Sequence, residues 1–339
     1  MTSMNRRRAL MTGATLIGAP ALVLPRFAAA AEFNFKFGTN LPATHPLNVR
    51  ATEAAERILK ETDGQVQINV FPSNQLGNDA DMLSQLRAGA LEFFTVSGVN
   101  VLSQLVPVSS IYGLGFAWPN EEAVYKALDG ELGKYLHAQL AKVGLMSMDK
   151  IWGSGFRQIT NSVKPIQTPD DLKGMRMRVP VSPLWTSLFK SLGAAPASIN
   201  FAEVYSSLQT KVVDGQENPL SIISVAKLYE VQKFCSITNH MWDGFWCMTS
   251  RRVWDRIPEK VRPVIARNLD QAAMDMRADT MRMNSSLRAD LTAKGMVFNE
   301  PNLEPFRALL NKSGFYEEWR KKYGEEAWAI LEKHTGKLG

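Results

Sequence analysis

Between positions 157 and 218 the sequence carries two arginines and an asparagine that together could hold a carboxylate. Arg157 sits in Gly155-Phe156-Arg157-Gln158-Ile159-Thr160-Asn161. Arg178 sits in Met175-Arg176-Met177-Arg178-Val179-Pro180, and Asn218 in Asp214-Gly215-Gln216-Glu217-Asn218-Pro219. A guanidinium presents a planar fork of donors that meets a carboxylate through two parallel hydrogen bonds. An amide adds a further donor. Such a set describes a clamp for an acid, not a catalytic centre. Each residue also has a plain structural reading. Arg178 could pair with Glu203 or Asp214, and Asn218, ahead of a proline, could cap a turn.

The usual signatures of catalysis are missing from the sequence. There is no Gly-x-Ser-x-Gly elbow, no His-Glu-x-x-His helix and no Cys-x-x-Cys pair. The four histidines, at 45, 137, 240 and 334, lack metal-ligand spacing. Gly113-Leu114-Gly115 lacks the third glycine of a dinucleotide loop. An exported hydrolase is the enzyme alternative. A ligand-sensing module for a two-component or chemotaxis receptor is the other. The expectation is a binding protein with no cofactor and no metal.

The elements that must position these residues read as α/β. Phe33, Phe35 and Phe37 alternate with Asn34 and Lys36 as a half-buried strand. Asn48 to Glu61 follows as a helix with Ala51, Ala55, Ile58 and Leu59 on one face. Val66, Ile68 and Val70 then form a second strand, which completes a βαβ unit with parallel strands. Asp79 to Ala90 continues as another helix. Thr168-Pro169-Asp170-Asp171 has the cap, proline and acid of a helix start. Met175 to Val179 alternates as a strand that puts Arg176 and Arg178 on one face, with Arg176 expected to be solvated. Pro258 to about Ala293 reads as one long helix whose inner side carries Val261, Ile265, Leu269, Ala272 and Met276.

The first thirty residues differ from the rest. Arg6, Arg7 and Arg8 precede an apolar run from Ala9 to Leu24, and small residues follow at 28–31. This is the pattern of a secretory signal peptide, and the paired arginines also admit the twin-arginine route. The formal charge is +6; without the four arginines of this segment it falls to +2. The remainder therefore makes no electrostatic case for nucleic acid or anionic membrane. No later run reaches the ~18 apolar residues of a membrane span. The expected location is the periplasm. There Cys235 and Cys247 could form a disulfide, or they could be two buried thiols.

Further motifs complete a family pattern. They include Phe37-Gly38-Thr39-Asn40, Pro72-Ser73-Asn74-Gln75-Leu76-Gly77, Gly155-Phe156-Arg157-Gln158, Pro169-Asp170-Asp171-Leu172-Lys173-Gly174 and Arg178-Val179-Pro180. Phe201-Ala202-Glu203-Val204-Tyr205, Gln216-Glu217-Asn218-Pro219, Tyr229-Glu230-Val231-Gln232-Lys233 and Thr238-Asn239-His240 follow in order. With them the chain resembles the extracytoplasmic solute-binding proteins of TRAP transporters, the DctP-like family, over nearly its whole length after the leader.

That resemblance implies a two-lobed periplasmic binding fold, each lobe a sheet flanked by helices, with a hinge between them and a long lobe-spanning helix. The expected division is lobe I at 31–152 with 242–283 and lobe II at 153–241 with 284–339. It also implies that Arg178 makes a two-pronged salt bridge to the ligand carboxylate, supported by Arg157 and Asn218. Asn40 and Asp79 match positions that reach the ligand in sialic-acid-binding relatives, and Phe201 matches one that packs on it. Ser97, Asn100 and Val181 stand where those relatives have an acid, an arginine and an asparagine, which argues against sialic acid here.

His45 either adds a hydrogen bond or is a plain loop histidine. Trp152, Trp185, Trp242 and Trp246 lie near the presumed pocket, and Trp242 is expected to cover the ligand. The ligand class stays open among sugar acids, 2-oxo and 2-hydroxy acids, dicarboxylates and aryl acids. The implied partners are a small DctQ-like and a large DctM-like membrane subunit, with the binding protein itself a monomer.

Overall fold

A computed structural model of the chain describes residues 31–339, and the signal-peptide expectation lies outside them. Ten strands form a single sheet: β1 (Phe33–Gly38), β2 (Val66–Phe71), β3 (Phe93–Ser97), β4 (Leu145–Ser147), β5 (Trp152–Asn161), β6 (Arg176–Val179), β7 (Ala195–Ser198), β8 (Gly215–Asn218), β9 (Phe234–Ser250) and β10 (Val297–Asn299). Their order is β2-β1-β3-β9-β5-β8-β6-β7, with β4 and β10 added on β9.

The βαβ unit forms as the periodicity predicts. α1 (Pro46–Glu61) connects β1 to β2, which pair in parallel from Phe33↔Val66 to Gly38↔Phe71. α2 (Asp79–Ala88) opens on a capping box in which Asn78 and Asp81 satisfy each other's backbone donors. It closes at Gly89, whose φ of +75° is the left-handed conformation glycine tolerates. At 169–172 the predicted helix start is a single 3-10 turn, with Asp171 reaching back to the Thr168 N–H.

Two ends of the sheet share β5 and β9. At one end β1 and β3 run parallel, and β3 pairs with the later part of β9 (Val96↔Trp246). At the other, β8 pairs with β5 (Gln158↔Asn218), and β6 runs parallel to β8 and β7. Between them β5 and β9 lose register twice, at Gly153/Gly155 and at Arg157/Ile159. Gly155, at φ +103°, and Asn239, at φ +41°, sit at these irregularities. Gln158 bridges the second one by bonding both the N–H and the side chain of Asn239.

The long helix Arg262–Ala293 packs along α1 through Ile265, Leu269, Ala272 and Met276, all buried as predicted. Its last turn reaches a separate apolar cluster at Leu291, beside Leu208, Ile223 and Cys235. It therefore joins the cores of both ends. The helices Phe315–Tyr323 and Glu325–Thr335 close the molecule, touching Pro107–Gly113, Glu121–Ala141 and Pro183–Ser191.

Cys235 and Cys247 are both buried and free. They belong to different apolar clusters and lie twelve positions apart on one strand. At ~3.3 Å per strand residue that is far beyond the reach of a disulfide. The pairing alternative is therefore excluded, and the buried-thiol reading stands.

Candidate carboxylate-binding cleft

The carboxyl ends of the strands at the two ends of the sheet converge on one cleft, the position where open α/β sheets bind ligands. One wall is Asn40 and Leu41 after β1, with Ser97 and Asn100 at the end of β3. The other wall is Arg178 from β6, Pro180 just after it, Trp185 from the following helix, and Phe201, Asn218 and Ile222. Arg157 from β5 and Asp243 and Phe245 from β9 form the floor.

Arg157 is 3% exposed and held by several acceptors. Its Nε and Nη2 form a fork on Glu217, at 2.5 Å to Oε2 and 2.9 Å to Oε1. Nη1 donates to Asp243 Oδ2 at 3.0 Å, and Nη2 also donates to the Asn218 side chain and the Glu217 carbonyl. One Nη1 hydrogen is left for anything else. The bulges on either side of Arg157 aim it at these partners, and the Trp185 ring lies 4.8 Å from its guanidinium.

The acids are braced in turn. Ser97 Oγ donates to Asp243 Oδ1 at 2.7 Å. His240 Nε2 sits 3.1 Å from Glu217 Oε2, with Thr238 Oγ1 at 2.7 Å from its other nitrogen. Burial pushes Glu217 upward, but Arg157 and His240 together outweigh it and hold the carboxyl at about 2. For Asp243 burial prevails over the pull of Arg157 and raises it to about 6. Burial also lowers His240 below its ordinary value, so the imidazole is neutral.

Arg178 is 2% exposed and makes a different set of contacts. Nε donates to the Ile199 carbonyl at 2.9 Å, and Phe201 flanks the guanidinium at 6.0 Å. Among the described residues neither Nη atom meets an acceptor, and no acid forms a salt bridge with it. Glu203 and Asp214 do not pair with it; Asp214 instead takes the exposed Arg176. Burial, partly offset by Glu217 and reinforced by the like charge of Arg157, pulls Arg178 down to about 9. A buried cation with two unused donor groups facing a cleft has the chemistry to take an anion.

The remaining expected residues divide into three groups. Asn40, Ser97, Asn100, Phe201 and Asn218 line the cleft with Arg157 and Arg178. Asp79 stands behind the wall and accepts from both Asn40 Nδ2 and Asn100 Nδ2. His45, Trp242 and Val181 lie outside. His45 is the buried N-cap of α1, accepting from the Leu47 N–H, and burial drops it to about 3. Trp242 is core, edge-on to Tyr112 and Tyr125, because alternation on β9 turns its neighbour Asp243 to the cleft. Val181 lines an outer groove with Gln104 and Ser182. Sequence reasoning missed Glu217, Asp243 and His240 as the framework of Arg157.

A family model for bacterial extracellular solute-binding proteins, family 7 (DctP), matches residues 37–321. The chain belongs to the DctP family. A relative in Escherichia coli K12, the 2,3-diketo-L-gulonate-binding periplasmic protein YiaO, is 32% identical, over 70% of this chain and 72% of its own. The sugar acid binding protein DctPAm of Advenella mimigardefordensis, solved with galactonate, is 29% identical with a TM-score of 0.86, over 91% of this chain and all of that one. A TRAP periplasmic solute-binding protein of Sulfurospirillum deleyianum, solved with succinate, is 28% identical with a TM-score of 0.83 over 91% and 100%. The sheet with its two ends is thus the two-lobed fold of the DctP family, and solute binding for TRAP transport is the family's function.

Proposed function

We propose that this chain captures a small organic acid in the periplasm and delivers it to the DctQ-like and DctM-like membrane subunits of a TRAP transporter. Arg178 receives the ligand carboxylate on its two free Nη groups. Arg157 contributes its one remaining N–H, and Asn218 its remaining amide hydrogen, since the other goes to Gln216 Oε1. The observation that carries the reading is the buried, unpaired guanidinium of Arg178. The family membership supports it.

The same site argues for a binding protein rather than an enzyme. Glu217 and Asp243 are engaged with Arg157, and His240 with Glu217, so none of the three is free to act on a bound molecule. No helix among the described residues is long and apolar enough to cross a membrane. The cleft is complete within one chain, which fits a monomer.

Its free volume is about 30 Å³, on the scale of one or two waters. An organic acid therefore enters by the walls moving apart. We place the hinge at the two register breaks of β5 and β9, between a lobe of residues 31–152 with 242–283 and a lobe of 153–241 with 284–339. Closure would bring Asn40, Ser97 and Asn100 onto a ligand already held by Arg178.

A thermal-shift screen of the protein against a carboxylic-acid library, with Arg178→Met alongside, tests the reading. A stabilising acid whose effect disappears in the variant is the expected result. Stabilisation that persists in the variant would remove Arg178 as the anchor.

A further inference from the structure

The wall facing Arg178 holds buried acceptors that no donor among the described residues meets. Asp79 is 6% exposed, and its Oδ2 accepts from Asn40 Nδ2 at 3.0 Å and from Asn100 Nδ2 at 2.6 Å. Its Oδ1 is buried with no partner among the described residues, and so is Oδ1 of Asn100, which lines the cleft. Two buried acceptors without donors are expensive to leave unmet. Burial already raises the Asp79 carboxyl above its ordinary value.

We infer that this wall is a subsite for hydroxyl groups, so that the ligand is a polyhydroxy monocarboxylate and not a dicarboxylate. The inference rests on the carboxylate reading of Arg178 and deepens it. A hydroxyl can donate to the Asn100 oxygen and accept from the amide hydrogens left on Asn40 and Asn100, whereas an ionised carboxylate can only accept. The charges agree. Arg157 and Arg178 are the cations lining the cleft among the described residues, and Glu217 and Asp243 already hold Arg157. A second ligand carboxylate at this wall would face Asp243, with the Asp79 charge behind Asn40 and Asn100, and no free cation to meet it. Asp79 is a positioning residue here, acting through the two amides it fixes.

Calorimetric titration with matched acids tests this. One set has four carbons: D-erythronate, succinate and butyrate. A second has six: galactonate, galactarate and hexanoate. In the set that fits, the hydroxy monoacid should bind about tenfold or more tighter than both the diacid and the bare acid. Asp79→Asn should shrink that preference severalfold, and Asn100→Ala provides a second variant should the first fold poorly. Both are read as a change in ratio, which a general loss of stability would not produce.

A diacid or bare acid binding as tightly as the hydroxy acid, with binding still abolished in Arg178→Met, overturns this inference and leaves the clamp intact. Binding that survives Arg178→Met overturns the clamp and the inference with it. So does the failure of all six acids to bind.

Discussion

Arg157 and Arg178 line the same cleft, and both are buried to within a few per cent, yet they do opposite things. Arg157 has a fork on Glu217, a second acid in Asp243 and an amide in Asn218. Arg178 has one carbonyl and two open Nη groups. Desolvating a guanidinium is unfavourable in both places. At Arg157 the fold supplies the compensation, whereas at Arg178 it supplies one carbonyl and no counter-charge. Burial alone therefore does not distinguish the two arginines; the count of unused donors does.

The comparison breaks most readily at Arg157. Arg157→Met would strand Glu217 and Asp243 in the interior, and losing one partner of a buried pair typically costs about 3–5 kcal/mol. Urea unfolding should show that loss, and a variant as stable as the parent would end the scaffold role. Arg178→Met should behave the other way. Its unliganded form should melt no lower than the parent, since no acid is left unpaired. Its ligand affinity should fall by about 2–5 kcal/mol, as titration would show.

Acid titration sharpens the contrast. Glu217 has a folded value of about 2 against the usual 4.5. Its ionised form therefore stabilises the fold above pH 4.5, and that contribution is lost as pH falls from 4.5 through about 2. Glu217→Gln should flatten this part of the stability–pH curve, while Arg178→Met should leave it in place. An unchanged slope in Glu217→Gln would mean that Arg157 does not depend on that carboxylate. The smallest effect belongs to Arg176, which shares a strand face with Arg178 but sits exposed on Asp214. Arg176→Ala should change neither melting nor binding measurably, and a loss of binding would extend the clamp beyond Arg178.

Local pattern carried far in this sequence. Alternating phenylalanines gave β1, the apolar face at 51, 55 and 58 gave α1 although Leu59, read on that face, is exposed, and the buried residues of the long helix fall on the predicted side. The separation of Arg176 from Arg178 was also readable, because a strand that begins at the surface and runs inward buries its later residues. The partners of Arg157 were not. Glu217 and Asp243 lie 60 and 86 positions away, and no local rule connects residues that meet only once β5, β8 and β9 are assembled. The place of Trp242 was available in principle. With 234–250 read as a strand, alternation sends Asp243 and Phe245 to one side and Trp242 and Trp246 to the other. The aromatic richness of that segment suggested a ligand, whereas its period of two points to core.

The most direct measurement of the central claim is the dissociation constant of the tightest acid from the carboxylate screen, for the parent protein and for Arg178→Met, with circular dichroism to confirm that both are folded. The account predicts a folded variant whose affinity drops about thirtyfold or more. A folded variant that binds the acid as the parent does would contradict it.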